Sequence, residues 1–197
     1  MKLPRRTFLH LAASAAALPA ASRFSRAQAY PSRPIRLIIP FPPGGSYDAI
    51  GRPWADRMKA SLGTVVVENQ GGASGTLGAA AVARAQPDGH TLLLAGSGQL
   101  GVYKVMASRP TYDPIKHLRP ITVAAVTCYA IAVHPSVPAR NLVELVAYAK
   151  TNPGKLSFGS AGAGGMNHLS GELFKTLTKT DISTYPIVAQ ARQSRMP

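Results

Sequence analysis

The side chains of this 197-residue chain with reactive or ligand-holding potential gather at four glycine-rich turns. Gly44-Gly45-Ser46 is followed by Asp48, and Gly71-Gly72-Ala73-Ser74-Gly75 by Thr76. Gly96-Ser97-Gly98 comes next, and the run from Gly159-Ser160 through Gly162-Ala163-Gly164-Gly165 precedes His168. A turn that leaves a strand and enters a helix exposes unpaired backbone N–H groups, and the helix dipole adds about half a positive charge there. Glycine lets the main chain approach a ligand oxygen and take up positive φ, so Gly44-Gly45-Ser46 and Gly162-Ala163-Gly164 suit the capture of a carboxylate or phosphate. His168 could donate to such an anion or simply satisfy a helix start. One turn of this kind serves close strand–helix packing equally well; four in one chain carry more weight.

Other chemistries find little support. The turns lack the GxxxxGK[ST] lysine of a nucleotide phosphate loop, and Asn167 stands where GxGxxG would place its third glycine. Of eight acidic residues, those nearest the turns are Asp48, Glu68 and Asp88. They read as a first-turn carboxylate, a partner for loop N–H groups and a turn former. His90, His117 and His134 have no neighbouring ligand pattern, so no metal or other cofactor is expected. Cys128, the single cysteine, lies in an apolar stretch and is expected in the core. No nucleophile, base and orienting group stand together, so no enzyme is expected. The competing reading is an α/β hydrolase or transferase that uses a glycine turn as an oxyanion hole.

The elements that must position these turns emerge from the pattern between them. Residues 34–41 form a continuous apolar run, as in strands buried on both faces, and the Pro-Pro-Gly-Gly after it ends the strand. A helix through Ile50, Trp54, Met58 and Leu62 comes next, with a kink or late start expected at Pro53. Residues 64–68 and 91–95 read as further strands, with an alanine-rich helix over 77–85 between them. Residues 112–120 read as loop, and 121–134 as a strand crossing into a second lobe. A helix capped by Asn141, a strand at 156–158 and a helix from about Asn167 complete the pattern. Strands alternating with helices predict a parallel sheet covered on both faces, with ligands outside the carboxyl ends of the strands, where the glycine turns fall.

The first 29 residues read as an export signal: a basic start, an apolar run over 8–18 and Ala27-Gln28-Ala29 for cleavage after Ala29. Arg5-Arg6-Thr7-Phe8-Leu9 also resembles a twin-arginine motif. The net charge of +14 includes Lys2, Arg5, Arg6, Arg23 and Arg26 of that signal, which leaves +9 for the remainder. Those basic residues are scattered singly, which argues against a nucleic-acid partner and favours anionic solutes.

Tyr30-Pro31-Ser32-Arg33-Pro34-Ile35, the run from Phe41 to Asp48, Glu68-Asn69, and Pro87-Asp88-Gly89-His90-Thr91-Leu92 occur in this order, followed by His134-Pro135-Ser136-Val137-Pro138 and Gly159-Ser160-Ala161-Gly162 with His168-Leu169. Together they resemble the Bug family, the TctC-like receptors of tripartite tricarboxylate transport. The resemblance implies an α/β, type II periplasmic binding protein fold, a two-lobed flytrap, incomplete in this chain. It also implies a periplasmic receptor that delivers a small carboxylate to the membrane subunits of such a transporter. Carried over by position, the ligand residues are Phe41, Pro43, Gly44, Gly45, Ser46 and Asp48 on one side and Ser160, Gly162 and His168 on the other, with Thr76 and Ser97 added. Tyr47 departs from the small hydroxyl residue common in the family, and Gln70-Gly71 from its usual Arg-Pro. The implied layout is a signal at 1–29, a first lobe at 30–122, the start of a second at 123–185, and a non-native tail at 186–197 from a frameshift near Tyr185. Such a shortened receptor is expected to be unstable and to bind weakly. The alternative is a remnant that binds no solute and serves as an interaction protein.

Overall fold

The computed structural model describes residues 29–187. The expected export signal, apart from Ala29, and residues 188–197 of the expected non-native tail lie outside the described residues. From Arg33 onward the described residues belong to one compact unit.

The first sheet has three parallel strands, β1 (Ile35–Ile39), β2 (Val65–Asn69) and β3 (Thr91–Leu93), in the order β2-β1-β3. The run in β1 reads as a central strand because Ile35, Leu37, Ile38 and Ile39 are all buried. Its one charged residue, Arg36, makes a two-pronged ion pair with Glu68 of β2, at 2.6 and 2.7 Å. Helix α1 (Ser46–Leu62) covers one face, where Ile35, Leu37, Ala55 and Val65 form a core with Met58, Leu62, Val67, Leu92 and Leu94. The expected late start at Pro53 is not found: α1 begins at Ser46 and runs through the proline. Gly51 lets α1 lie close on β1, since a Cβ there would stand 2.6 Å from Ile39 Cδ1. Helix α2 (Thr76–Ala83) covers the other face, where Ala79, Ala80 and Tyr112 pack with Ala83, Leu93, Tyr103 and Leu118.

Helix also forms after the third glycine turn and within residues 112–120, which read as loop. Residues Gly98–Val102 form a wide turn that leads into α3 (Tyr103–Met106). The short α4 (Pro114–His117) is capped by Asp113, whose carboxylate accepts from the Ile115 and Lys116 N–H groups. Asp-Pro at cap and first position is a start signal that the loop reading passed over.

Residues 118–134 correct a larger expectation. No crossing strand forms there, and Cys128 is exposed rather than buried in a core. Ile121, Val123, Val126, Tyr129 and Ile131 are exposed with it. The physical reason is pairing: no described strand pairs with this segment, so most of its large apolar side chains stay exposed.

The remaining residues repeat the strand–turn–helix theme. Helix α5 (Leu142–Thr151) is capped by Asn141, which accepts from Glu144 N while Glu144 accepts from Arg140 N. Strands β4 (Leu156–Ser160) and β5 (Ile182–Pro186) pair in parallel, and α6 (Met166–Thr178) connects them. The core here is thin. Leu145, Ala149 and Ile182 are its buried apolar residues, whereas α6 buries none and exposes Leu173 and Leu177.

Candidate functional site

Because β1, β2 and β3 are parallel, their carboxyl ends lie at one edge of the sheet, and the turns after them meet there. Helices α1, α2 and α6, which follow glycine turns, have Gly45, Gly75 and Gly165 at the cap position and so no side-chain cap. Helices α4 and α5, which do not, are capped by Asp113 and Asn141. Uncapped starts leave backbone N–H groups directed outward, the geometry that receives an anion.

The turn after β1 is held by its own residues. Asp48, buried in the first turn of α1, accepts from Gly44 N at 3.0 Å, Arg52 Nε at 2.7 Å and Asn69 Nδ2 at 3.0 Å. Asn69 also donates to the Phe41 carbonyl, so the end of β2 clamps the end of β1. The Arg52 guanidinium, helped by the Gly44 N–H, holds the Asp48 carboxyl at about 2, below its ordinary 3.8. Gly44, Gly45 and Ser46 are exposed above this frame. Tyr47 packs on Phe41 with ring centroids 4.4 Å apart and the rings tilted by 39°, and its phenol rests against Gly96 of the third turn. Burial, with Tyr129 nearby, raises the Tyr47 phenol above its ordinary value.

The turn after β4 is different. Ser160 is only 3% exposed, and neither its Oγ nor the buried Nδ1 of His168 has a hydrogen-bond partner among the described residues. Ser160 ends β4, and His168 lies in the first turn of α6, so both orphans flank the turn that opens that helix. An unpaired buried hydroxyl costs about 1 to 3 kcal/mol, which an incoming acceptor would recover.

The sequence pattern of the tripartite tricarboxylate transporter family receptor, TctC, matches residues 50–193. The chain belongs to the TctC receptor family. BugT of Bordetella pertussis is 38% identical over 163 residues, 81% of this chain and 50% of BugT. Among solved structures, Rhodopseudomonas palustris Rpa4515 with adipate superposes at a TM-score of 0.73 with 31% identity, covering 81% of this chain and 54% of that one. MatC from the same organism, with bound malate, superposes at 0.70 with 29% identity, over 81% and 54%. The chain therefore spans about half the length of the TctC relatives it matches. Its fold is the α/β fold of periplasmic binding proteins, and the family is one of receptors.

Within this TctC fold, Phe41, Pro43, Gly44, Gly45, Ser46 and Asp48 come together at the β1 turn and Ser160, Gly162 and His168 at the β4 turn. The Asp48 carboxylate is taken up by the frame beneath the turn. Thr76 Oγ1 donates to the Ala73 carbonyl inside the second turn, and Ser97 is exposed where the wide turn begins. Sequence reasoning missed Asn69, Arg52, Ser74 and Gln99. Asn69 adjoins Glu68 in a family motif, and Arg52 sits four residues after Asp48, a spacing that pairs on a helix. Ser74 lay inside the second glycine turn without being singled out, and Gln99 carried no local signal.

Proposed function

We infer that this chain is an exported solute receptor whose β1 and β4 turns grip a small mono- or dicarboxylate, without catalysis, and that the receptor hands it to the membrane subunits of a tripartite tricarboxylate-type transporter. The single observation that carries the reading is the buried, unpartnered Ser160 Oγ beside the uncapped start of α6. A carboxylate there would accept from Ser160, from backbone N–H groups of the turn and from His168, each bond to a charged acceptor contributing about 1.5 to 3 kcal/mol. Gly44, Gly45 and Ser46 would hold the carboxylate from the other side, with Asp48 as the residue that positions them. Phe41, Pro43, Thr76, Ser97 and Gly162 would line the approach. Adipate and malate in two neighbours support a dicarboxylate. Family membership and the basic, apolar start support export to the periplasm with cleavage after Ala29.

The test is thermal unfolding of residues 30–197 against adipate, malate, monocarboxylates and amino acids, since a ligand of the native state raises the transition by mass action. A shift produced by one carboxylate, and lost in Ser160→Ala, is the expected result. A flat response across the panel would remove the receptor reading. It would favour the second reading, an interaction protein that binds no solute, to which the exposed apolar residues Ile121 to Ile131 lend support.

A further inference from the structure

We propose that Ser74 latches the glycine turn after β2 to the glycine turn after β4, and that the buried Gln99 is the residue that sets the latch. The turn after β2 carries four successive residues at positive φ: Gly72 at 126°, Ala73 at 47°, Ser74 at 54° and Gly75 at 88°. Two of them have side chains, a conformation that costs about 1 to 3 kcal/mol per residue unless the surroundings impose it. The surroundings do. Gln99, 2% exposed, donates through Nε2 to the Ser74 carbonyl at 2.6 Å, while its Oε1 accepts from Gly96 N at 3.0 Å. Gln99 is fixed in turn by Tyr112, whose hydroxyl donates to the Gln99 carbonyl at 2.7 Å. So held, Ser74 turns its hydroxyl outward and donates to the Ala163 carbonyl at 2.8 Å, 89 residues along the chain.

The facing turn is shaped to receive it. A Cβ at Gly162 would stand 2.9 Å from Ser74 Oγ, and Gly162 has φ of 116°, so no other residue fits there without loss. Met106 packs over Gly164 in the same seam. The latch therefore joins the first sheet's edge to the turn that holds the unpartnered Ser160 and His168. If those turns bind a carboxylate, as the receptor reading holds, the latch slows its escape.

The test separates the latch from the ligand. Hydrogen exchange of the full chain, without ligand, is measured on residues 160–166 and on β1–β3 in Ser74→Gly, Gln99→Glu and the double variant. Glycine accepts the positive φ and removes the CH2OH side chain that makes the latch, while glutamate keeps the acceptor for Gly96 and removes the donor to Ser74. Ser74→Gly is expected to speed exchange at 160–166 about fivefold, the loss of one modest hydrogen bond. Gln99→Glu should do the same, the double variant should be no faster than Ser74→Gly, and β1–β3 should be unchanged. Gly162→Ala should speed exchange at 72–75 from the other side. Unchanged exchange at 160–166, additive effects in the double variant, or faster exchange spread through β1–β3 would each overturn the latch. Addition of adipate and malate tests the site apart from it. If neither slows exchange in the parent chain, the carboxylate reading fails and the ligand-free comparison still decides the latch.

Discussion

The two turns that open α1 and α6 share a sequence logic and differ in what completes them. After β1, a carboxylate from within the chain accepts from Gly44, and Arg52 and Asn69 saturate the rest of that carboxylate. After β4 no carboxylate from within the chain arrives among the described residues: Asn167 Oδ1 accepts from His168 N, while Ser160 Oγ and His168 Nδ1 stay unpaired. The first turn is thus a finished frame resting on a packed three-stranded sheet. The second is an unfinished one on a two-stranded sheet with a thin core. A buried donor left without a partner is a cost in the free protein and a gain on binding, so the contrast points to where a ligand would add most.

Substitutions at the two turns should therefore act with opposite character. The largest expected effect is Asp48→Ala, which leaves Arg52, Asn69 and the Gly44 N–H without their shared acceptor. Urea unfolding should show a loss of about 3 kcal/mol, within the range for breaking a buried charged network. Ser160→Ala should instead leave unfolding unchanged or slightly improved. It should weaken carboxylate binding about tenfold by calorimetry, the effect of one hydrogen bond to a charged group. A stability loss at Ser160 comparable to that at Asp48 would erase the distinction between the turns.

Acid probes the same contrast with a smaller effect. Asp48 titrates at about 2 when folded, below its ordinary 3.8. It therefore contributes stability in full above about pH 4 and loses that contribution as the pH falls from about 4 towards 2. With Arg52 half exposed, the change should be roughly 1 to 2 kcal/mol after screening. Denaturant midpoints measured from mildly acidic to strongly acidic buffer should fall in the parent chain and fall less in Asp48→Asn. The smallest effect serves as a control away from the glycine turns. Asn141→Ala removes a side-chain cap and should cost about 1 kcal/mol in unfolding with no change in carboxylate affinity.

Much of this architecture can be read locally. The continuous apolar residues of β1, the glycine and proline punctuation, and the repeated strand–turn–helix order are near-neighbour properties, and they place the turns at the carboxyl ends of parallel strands. The α1 frame is half legible, because Asp48 to Gly44 and to Arg52 are both four-residue spacings. Asn69, 21 residues from Asp48, enters only through the pairing of β2 with β1. Residues 121–134 mislead for the converse reason: their composition suits a buried strand, but burial requires a neighbour, and none of the described strands pairs with them.

Residue order alone was thus enough for the family, the α/β alternation and the location of the glycine turns, because periodicity and backbone freedom are encoded residue by residue. Three-dimensional packing was needed to learn that Asp48 is spent on its own turn, that Ser160 is buried without a partner, and that Gln99 imposes positive φ on Ser74. Apart from the four-residue links of Asp48 to Gly44 and Arg52, these depend on the fold bringing together groups far apart in the chain, and a local pattern carries no record of which distant partner will fill, or leave empty, a hydrogen-bonding position.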